Sequence, residues 1–277
     1  LVTLGGLGVF LFGMKILGDY LQNAAGGRIK NMLGKVGNNR FAAVGIGTAV
    51  TAVIQSSSAT TVMVVGFVNA GIMTLFQATG IIMGANIGTT ITAQIVALSV
   101  LPVTEFFVML TGIGFFLTMI SKPKVKTAGM IIAGFGMIFS GLYIMSAAMN
   151  TVSEMEQIRN LFAAADDPFL LFFIGLAITG IVQSSSATTG ILITMAGSGL
   201  VTLRAALFAT LGINIGTCVT ALLAGIGANA NAKRASVIHL LFNCFGSLVF
   251  FILCYFAPVD KWLAAAFPEI ETQIAMF

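Results

Sequence analysis

Seven residues, Gln55-Ser56-Ser57-Ser58-Ala59-Thr60-Thr61, recur letter for letter as Gln183-Ser184-Ser185-Ser186-Ala187-Thr188-Thr189, 128 positions later. A collinear repeat of this kind commits both halves of a chain to one supersecondary unit. The same offset carries Asn86-Ile87-Gly88-Thr89 onto Asn214-Ile215-Gly216-Thr217, Gly6-Leu7-Gly8 onto Gly134-Phe135-Gly136, Gly13 onto Gly141, and Thr74-Leu75 onto Thr202-Leu203. No gap is needed between about residue 5 and residue 90. Two units are expected, residues 1–126 and residues 127–277.

Composition decides the solvent of this repeat. Of 277 residues, 58% are hydrophobic and 8% charged, against about 25% charged in a typical soluble domain. A soluble core of this size could not hide so much apolar surface, so lipid must solvate much of it. The 32 glycines and 14 methionines suit close helix packing in a bilayer. The net charge of +4 comes from Lys and Arg at segment ends. It forms no basic stripe with interleaved aromatics, which argues against nucleic acid. Cys218, Cys244 and Cys254 lie in apolar stretches without metal-ligand spacing and read as free thiols. The first apolar run leads straight into more membrane sequence, so no removable leader is expected. The chain opens on Leu1 and stops in mid-pattern at Phe277, and a piece of a longer protein is expected.

Each unit reads the same way. In the first, residues 1–21 form an apolar helix, 41–70 two short arms around the Ser/Thr cluster, 72–101 an apolar segment broken at Asn-Ile-Gly-Thr, and 104–121 another helix. The second runs 127–149, 168–198, 200–227 and 235–257. Each arm around Gln55 has about 13–15 residues, too few for the ~20 that span a bilayer. A re-entrant hairpin with the polar motif at its tip is therefore expected, since irregular backbone survives at membrane depth only inside protein or against a wet cavity.

Charge orients the units. The loop 23–40 holds Arg28, Lys30, Lys35 and Arg40 and no acid. Its offset partner, 151–168, holds Glu154, Glu156, Asp166 and Asp167 against Arg159. Equivalent loops of opposite charge are what inverted copies show under the positive-inside rule. The basic segments Lys122–Lys126 and Lys233-Arg234 then share the cytoplasmic face, with three crossings per unit. The expected fold is an all-α integral membrane protein of two inverted-topology repeats, each with a re-entrant hairpin and a broken transmembrane helix.

Two Gln-Ser-Ser-Ser tips entering from opposite faces would meet near the midplane. Hydroxyls and amide carbonyls are hard oxygen donors that suit Na⁺. The same hydroxyls, with the free N–H groups of half-helix starts, can donate to an oxyanion. Gly84, Gly88, Gly212 and Gly216 beside the breaks would let backbone approach a ligand. The candidate substrate and ion ligands are Gln55, Ser56, Ser57, Ser58, Thr60, Thr61, Asn86, Thr89 and Thr90 in the first unit. In the second they are Gln183, Ser184, Ser185, Ser186, Thr188, Thr189, Asn214 and Thr217. No carboxylate falls inside an expected span, with Asp19, Glu105 and Asp260 near segment ends. That disfavours a proton relay and favours sodium. His239 reads as a packed hydrogen-bonder, Lys15 and Asp19 as a local i, i+4 pair outside the site, and Arg204 as an interfacial anchor.

These motifs closely resemble the type II sodium–phosphate cotransporter family over nearly the whole chain. The marks are the doubled Gln-Ser-Ser-Ser, the doubled Asn-Ile-Gly-Thr, and His239-Leu240-Leu241-Phe242-Asn243, which is similar to that family's His-x-x-Phe-Asn segment. The resemblance implies sodium-coupled movement of inorganic phosphate by alternating access in the plasma (inner) membrane. Sodium would be a co-transported ligand, with no other cofactor and with self-association left open. It also implies ligand roles for Gln55, Ser56, Ser57, Ser58, Asn86, Gln183, Ser184, Ser185, Ser186 and Asn214. It does not divide sodium from phosphate; Gln55, Ser57, Asn86, Gln183, Ser185 and Asn214 are taken as the sodium set. Two departures stand out. Ala97-Leu98-Ser99-Val100 lacks the Asp some members carry there, and Cys218 replaces the Thr90 of the first copy. Bacterial relatives often continue into a further membrane helix and a soluble helical domain. The rival readings are a carrier or channel for another small oxyanion and a phosphate sensor that does not transport. An intramembrane serine hydrolase would need a base beside the nucleophile, and no His or Lys stands near the serine clusters in sequence.

Overall fold

The computed structural model describes residues 1–34, 36, 39–98, 104–157 and 167–277; Lys35, Ser99, Val100, Arg159 and Asp166 lie outside them. The described residues form helices without strands. In chain order these are α1 (Val2–Gly34), α2 (Arg40–Ile54), α3 (Ser57–Asn69), α4 (Leu75–Ala97), α5 (Thr104–Thr118) and α6 (Pro123–Ser153). After them come α7 (Pro168–Val182), α8 (Ser185–Gly197), α9 (Leu203–Gly216), α10 (Cys218–Gly225), α11 (Ala230–Phe256), α12 (Val259–Ala266) and α13 (Ile270–Met276). The bounds of α2 and α3 reappear residue for residue in α7 and α8 at the repeat offset. Local capping explains this. Asn39 and Asp167 accept backbone N–H bonds at the starts of α2 and α7, and Thr74 and Thr202 do so for α4 and α9.

Five segments among the described residues are long and apolar enough to cross a membrane: Val2–Ala25, Leu75–Ala97, Pro123–Thr151, Leu203–Gly225 and Ala230–Phe256. Six crossings were expected. The sixth, at 104–121, is described from Thr104 onward as the 15 residues of α5, and at about 1.5 Å per residue this described part is shorter than the ~30 Å hydrocarbon layer. The expected loop 23–40 is also largely helical, because α1 runs on to Gly34.

Glycine seams set the packing. A Cβ on Gly6 would lie 3.0 Å from the Gly141 carbonyl, and one on Gly13 would lie 2.8 Å from the Gly134 carbonyl. Gly141 likewise abuts Phe10, and Gly13 abuts Ile138. The α1–α6 seam is thus antiparallel and reciprocal, Gly6 meeting the counterpart of Gly13 and Gly13 that of Gly6. In that register Lys122–Lys126 stands level with Leu21–Ala25, at the end of the apolar Val2–Ala25 segment. The α2–α4 seam is parallel: a Cβ added at Gly84 would run into the Val44 carbonyl, and one added at Gly88 would lie 2.6 Å from that of Thr48. The α7–α9 seam repeats it: a Cβ added at Gly212 would run into the Phe172 carbonyl, and one added at Gly216 would lie 2.6 Å from that of Leu176.

These seams correct the expected breaks. Helix α4 runs unbroken through Asn86-Ile87-Gly88-Thr89. In the second copy only Thr217 interrupts the helix, and its backbone stays near helical values, φ −59° and ψ −27°. The glycines of the motif, and Gly84 and Gly212 before it, serve close approach to the neighbouring helix backbone, not to a ligand.

Candidate functional site

Each Gln-Ser-Ser-Ser element makes a two-residue reversal between short helices. Gln55 has φ 59°, ψ 26° and Gln183 has φ 55°, ψ 28°. They are the two non-glycine residues with positive φ among the described residues. An L-residue in this left-handed region costs about 1–2 kcal/mol, and such strain collects at functional sites. Ser56 and Ser184 follow in extended conformation as N-caps, accepting from the N–H of Ala59 at 3.2 Å and of Ala187 at 3.3 Å. The caps leave the first N–H groups of α3 and α8 free for an acceptor.

Both tips open onto one cavity of about 270 Å³, lined by Gln55, Ser56, Ser57 and Ser58 together with Gln183, Ser184, Ser185 and Ser186. That is roughly nine water volumes at about 30 Å³ each, room for a tetrahedral oxyanion with partial hydration. One face of α1, including Met14, Lys15, Asp19 and Gln22, closes the cavity. A second cavity of about 120 Å³ is lined by Asn86, Thr89, Thr90 and Thr92 of α4, Thr210 and Asn214 of α9, and Thr189 of α8, with the C-terminal Ile274, Ala275 and Phe277 against it. Ser185 and Ser186 line both cavities, so the start of α8 is the wall between them. The other candidates, Thr60, Thr61, Thr188 and Thr217, are buried away from both. Thr60, Thr188 and Thr217 donate to backbone carbonyls of their own turns. The Thr61 hydroxyl has no partner. Among the described residues no group of three His, Cys, Asp or Glu side chains could hold a metal ion, so a cation here would meet mainly neutral oxygens.

The two tips are chemically identical but not in the same state. Gln55 is buried, and its Oε1 accepts a 3.0 Å bond from Thr92 of α4. Thr51 Oγ1 donates to Thr60 Oγ1 at 3.0 Å, tying α2 to α3. In the second copy Gln183 is exposed. The counterpart hydroxyls, Thr220 of α10 and Thr179 of α7, are buried without any partner. Both cross-links that hold the first tip are therefore absent from the second.

Several readings of single residues change. Lys15 Nζ donates to Asp19 Oδ2 at 2.9 Å, the local pair expected. The pair also lines the cavity, and it lies within the Val2–Ala25 span, not near a helix end. Asp19 thus stands inside a segment long and apolar enough to cross a membrane, and proton coupling is not disfavoured by a lack of such a carboxylate. The signal was present in sequence: two charges four apart inside a long apolar run, with Gln22 on the same face. Among the described residues Lys15 bonds to no serine, so no Ser–Lys dyad forms in the cavity. His239 is 1% exposed, and neither ring nitrogen has a hydrogen-bond partner, against expectation. Cys218 is fully buried with its thiol directed to the carbonyls of Asn214 and His239. The three cysteines are free thiols. Arg204 lies over the Phe208 ring at 5.7 Å, as an anchor would.

Helices of this length and apolarity, folded around polar cavities, define a multi-pass integral membrane protein. The sequence model of the Na+/Pi-cotransporter family matches residues 9–147 and again residues 141–262. The chain belongs to that family. The Bacillus subtilis (strain 168) "Uncharacterized protein YqeW" is 30% identical over 272 residues, covering 97% of this chain and 86% of its own length. The Salmonella typhimurium "Putative inorganic phosphate export protein YjbB" is 28% identical over 273 residues, 98% of this chain, which spans 50% of that protein. The human "Sodium-dependent phosphate transport protein 2B" is 40% identical over 87 residues, 30% of this chain and 13% of its own. No solved structure matches the chain.

Proposed function

We propose that this protein moves inorganic phosphate across the plasma (inner) membrane, coupled to sodium, by alternating access between two inverted repeats, residues 1–126 and 127–277. Membership of the Na+/Pi-cotransporter family supports the substrate and the ion. The tips supply what phosphate needs: hydroxyl donors and two helix N-termini facing one cavity. Gln55, Ser57, Asn86, Gln183, Ser185 and Asn214 would supply oxygens to sodium, and the remaining tip hydroxyls would donate to phosphate.

The observation that carries the reading is the unlike state of two identical tips. An inverted-repeat carrier exchanges the conformations of its halves as it alternates. Here one tip is cross-linked through Thr92 and Thr60, and its counterpart has two orphaned hydroxyls waiting in Thr220 and Thr179. In the alternate state Thr220 holds Gln183 and Thr92 is released. A net hydrogen bond contributes about 1 kcal/mol, so its loss shifts a two-state population about fivefold. Thr92→Val and Thr220→Val should therefore move the labelling rate of Gln22→Cys, a cavity-lining position, in opposite directions with a water-soluble thiol reagent. Shifts of the same sign would refute the exchange.

Inversion is supported by the reciprocal antiparallel α1–α6 seam and by the opposite charge of the offset-matched segments 23–40 and 151–168. The short arms α2 and α7, each reversing at its Gln, support re-entrant hairpins. In a protein whose three native cysteines are replaced, Arg40→Cys and Glu156→Cys should label from opposite membrane faces. Labelling of both from one face would exclude inversion.

Radiolabelled phosphate flux in proteoliposomes, with a sodium gradient or a proton gradient imposed separately, tests the function itself. A sodium-driven, saturable flux is expected. The location of Asp19 within a span favours proton coupling as the second reading, and flux driven by the proton gradient alone would establish it. The Salmonella relative's name concerns export, so flux is measured in both directions.

A further inference from the structure

The cavity between the tips is built almost wholly from neutral groups, and the substrate proposed for it is an anion. Its charge complement comes from α1 alone: Lys15 and Asp19, one helical turn apart and paired at 2.9 Å. By the repeat offset their counterparts on α6 are Tyr143 and Ala147, so the pair is no part of the shared scaffold. Charges inside a membrane span are costly and face protein or water-filled cavities. Their side chains are 69% and 54% accessible, and an accessible ion pair adds little to stability. Packing therefore does not account for the pair, whereas a ligand in the cavity does.

We propose that Lys15 is the cation that binds the oxyanion, and that Asp19 is its resting counter-ion, which the oxyanion displaces. The inference rests on the phosphate reading above. A phosphate entering between Ser57, Ser58, Ser185 and Ser186 would reach the ammonium and offer it a stronger, doubly charged acceptor. Asp19 would then be released beside the tip oxygens as a hard carboxylate donor for a cation. Empty, the pair keeps the cavity neutral; filled, it exchanges one anion for another without leaving Lys15 unpaired.

Sodium-dependent uptake of inorganic phosphate in proteoliposomes tests this, with sulfate as competitor. Lys15→Met should raise the phosphate KM by about 10- to 100-fold, the range for loss of a charge-assisted bond. Lys15→Arg should stay within about threefold of the parent. Asp19→Asn removes the competing anion and should lower the phosphate KM, the opposite sign, while weakening the dependence on sodium. The double variant Lys15→Met/Asp19→Asn carries no unpaired charge, and should keep the parent's elution profile in detergent yet show the raised KM. Sulfate that competes in the parent should lose potency in Lys15→Met along with phosphate, since the ammonium acts on either dianion as a point charge. A KM shift of the same sign for Lys15→Met and Asp19→Asn, or a Lys15→Met KM within twofold of the parent, would overturn the proposal alone. A parent protein that neither binds nor moves phosphate would overturn the functional reading, and this inference with it.

Discussion

Replacing Gln55 or Gln183, singly, is expected to reduce sodium-dependent phosphate flux by about 10- to 100-fold, the cost of removing a polar ligand from a bound ion. Both glutamines face the same cavity, so neither can substitute for the other. The double variant should be hardly worse than either single one, because groups acting as a unit are strongly non-additive. Independent sites in the two halves would instead leave about half the flux in each single variant. The backbone makes the test sharper. Each glutamine is held in the left-handed region, where glycine is free of steric cost. Gln183→Gly should therefore silence transport while raising thermal stability in detergent by about 1 kcal/mol, and Gln55→Gly should silence it with little net change, since the lost Thr92 bond offsets the relieved strain. Alanine at the same positions keeps the strain and should silence transport without that gain. A glycine variant that loses both stability and flux would mean that the glutamines serve packing, and the functional reading of the strained turn would fail.

The second large effect is structural. Gly84→Ala and Gly212→Ala should leave little folded protein after detergent extraction. A Cβ at these positions would lie 2.0 Å from the Val44 carbonyl and 1.9 Å from the Phe172 carbonyl. The obstruction is backbone in both cases and cannot swing aside as a side-chain end does. Overpacking a close seam typically costs about 1–3 kcal/mol and occasionally more; obstruction by backbone at under 2.5 Å belongs at the upper end. Gly45→Ala and Gly66→Ala meet nothing within 4 Å and should be indistinguishable from the parent in thermal melting and size-exclusion elution. Retained stability in Gly84→Ala would show that α2 and α4 pack less closely than described.

Much of the fold could be read along the chain because its determinants are local. Hydropathy is additive over a window, so five of the six expected crossings are long and apolar enough to span among the described residues, the described part of α5 being shorter. The reversals at Gln55 and Gln183 fall where a run of small polar residues interrupts apolar arms, and Ser56 and Ser184 cap the next helix in the way their side chains predict. The break expected at the first Asn-Ile-Gly-Thr is absent and the second is confined to Thr217, because a glycine that ends a helix and a glycine that admits a neighbouring helix look alike in one dimension. Only the position of the Val44, Thr48 and Phe172 carbonyls tells them apart. Likewise a lysine and an aspartate four apart predict their own ion pair, but not that α1 turns the pair toward both tips.

By itself, then, the sequence determined that the chain lies in lipid, that it carries one helical unit twice, and where each polar tip begins, since each of these follows from residue type and near-neighbour spacing. The tertiary structure alone decided which of the seventeen candidate ligands share a cavity and which are buried elsewhere. It also decided that Gln55 is tied down by Thr92 while Gln183 is not. The tips are the same seven residues, and no local property of identical segments can make them differ. The difference arises in the contact each tip makes with the helix beside it: α4 brings Thr92 within 3.0 Å of one glutamine, and α10 leaves Thr220 without a partner.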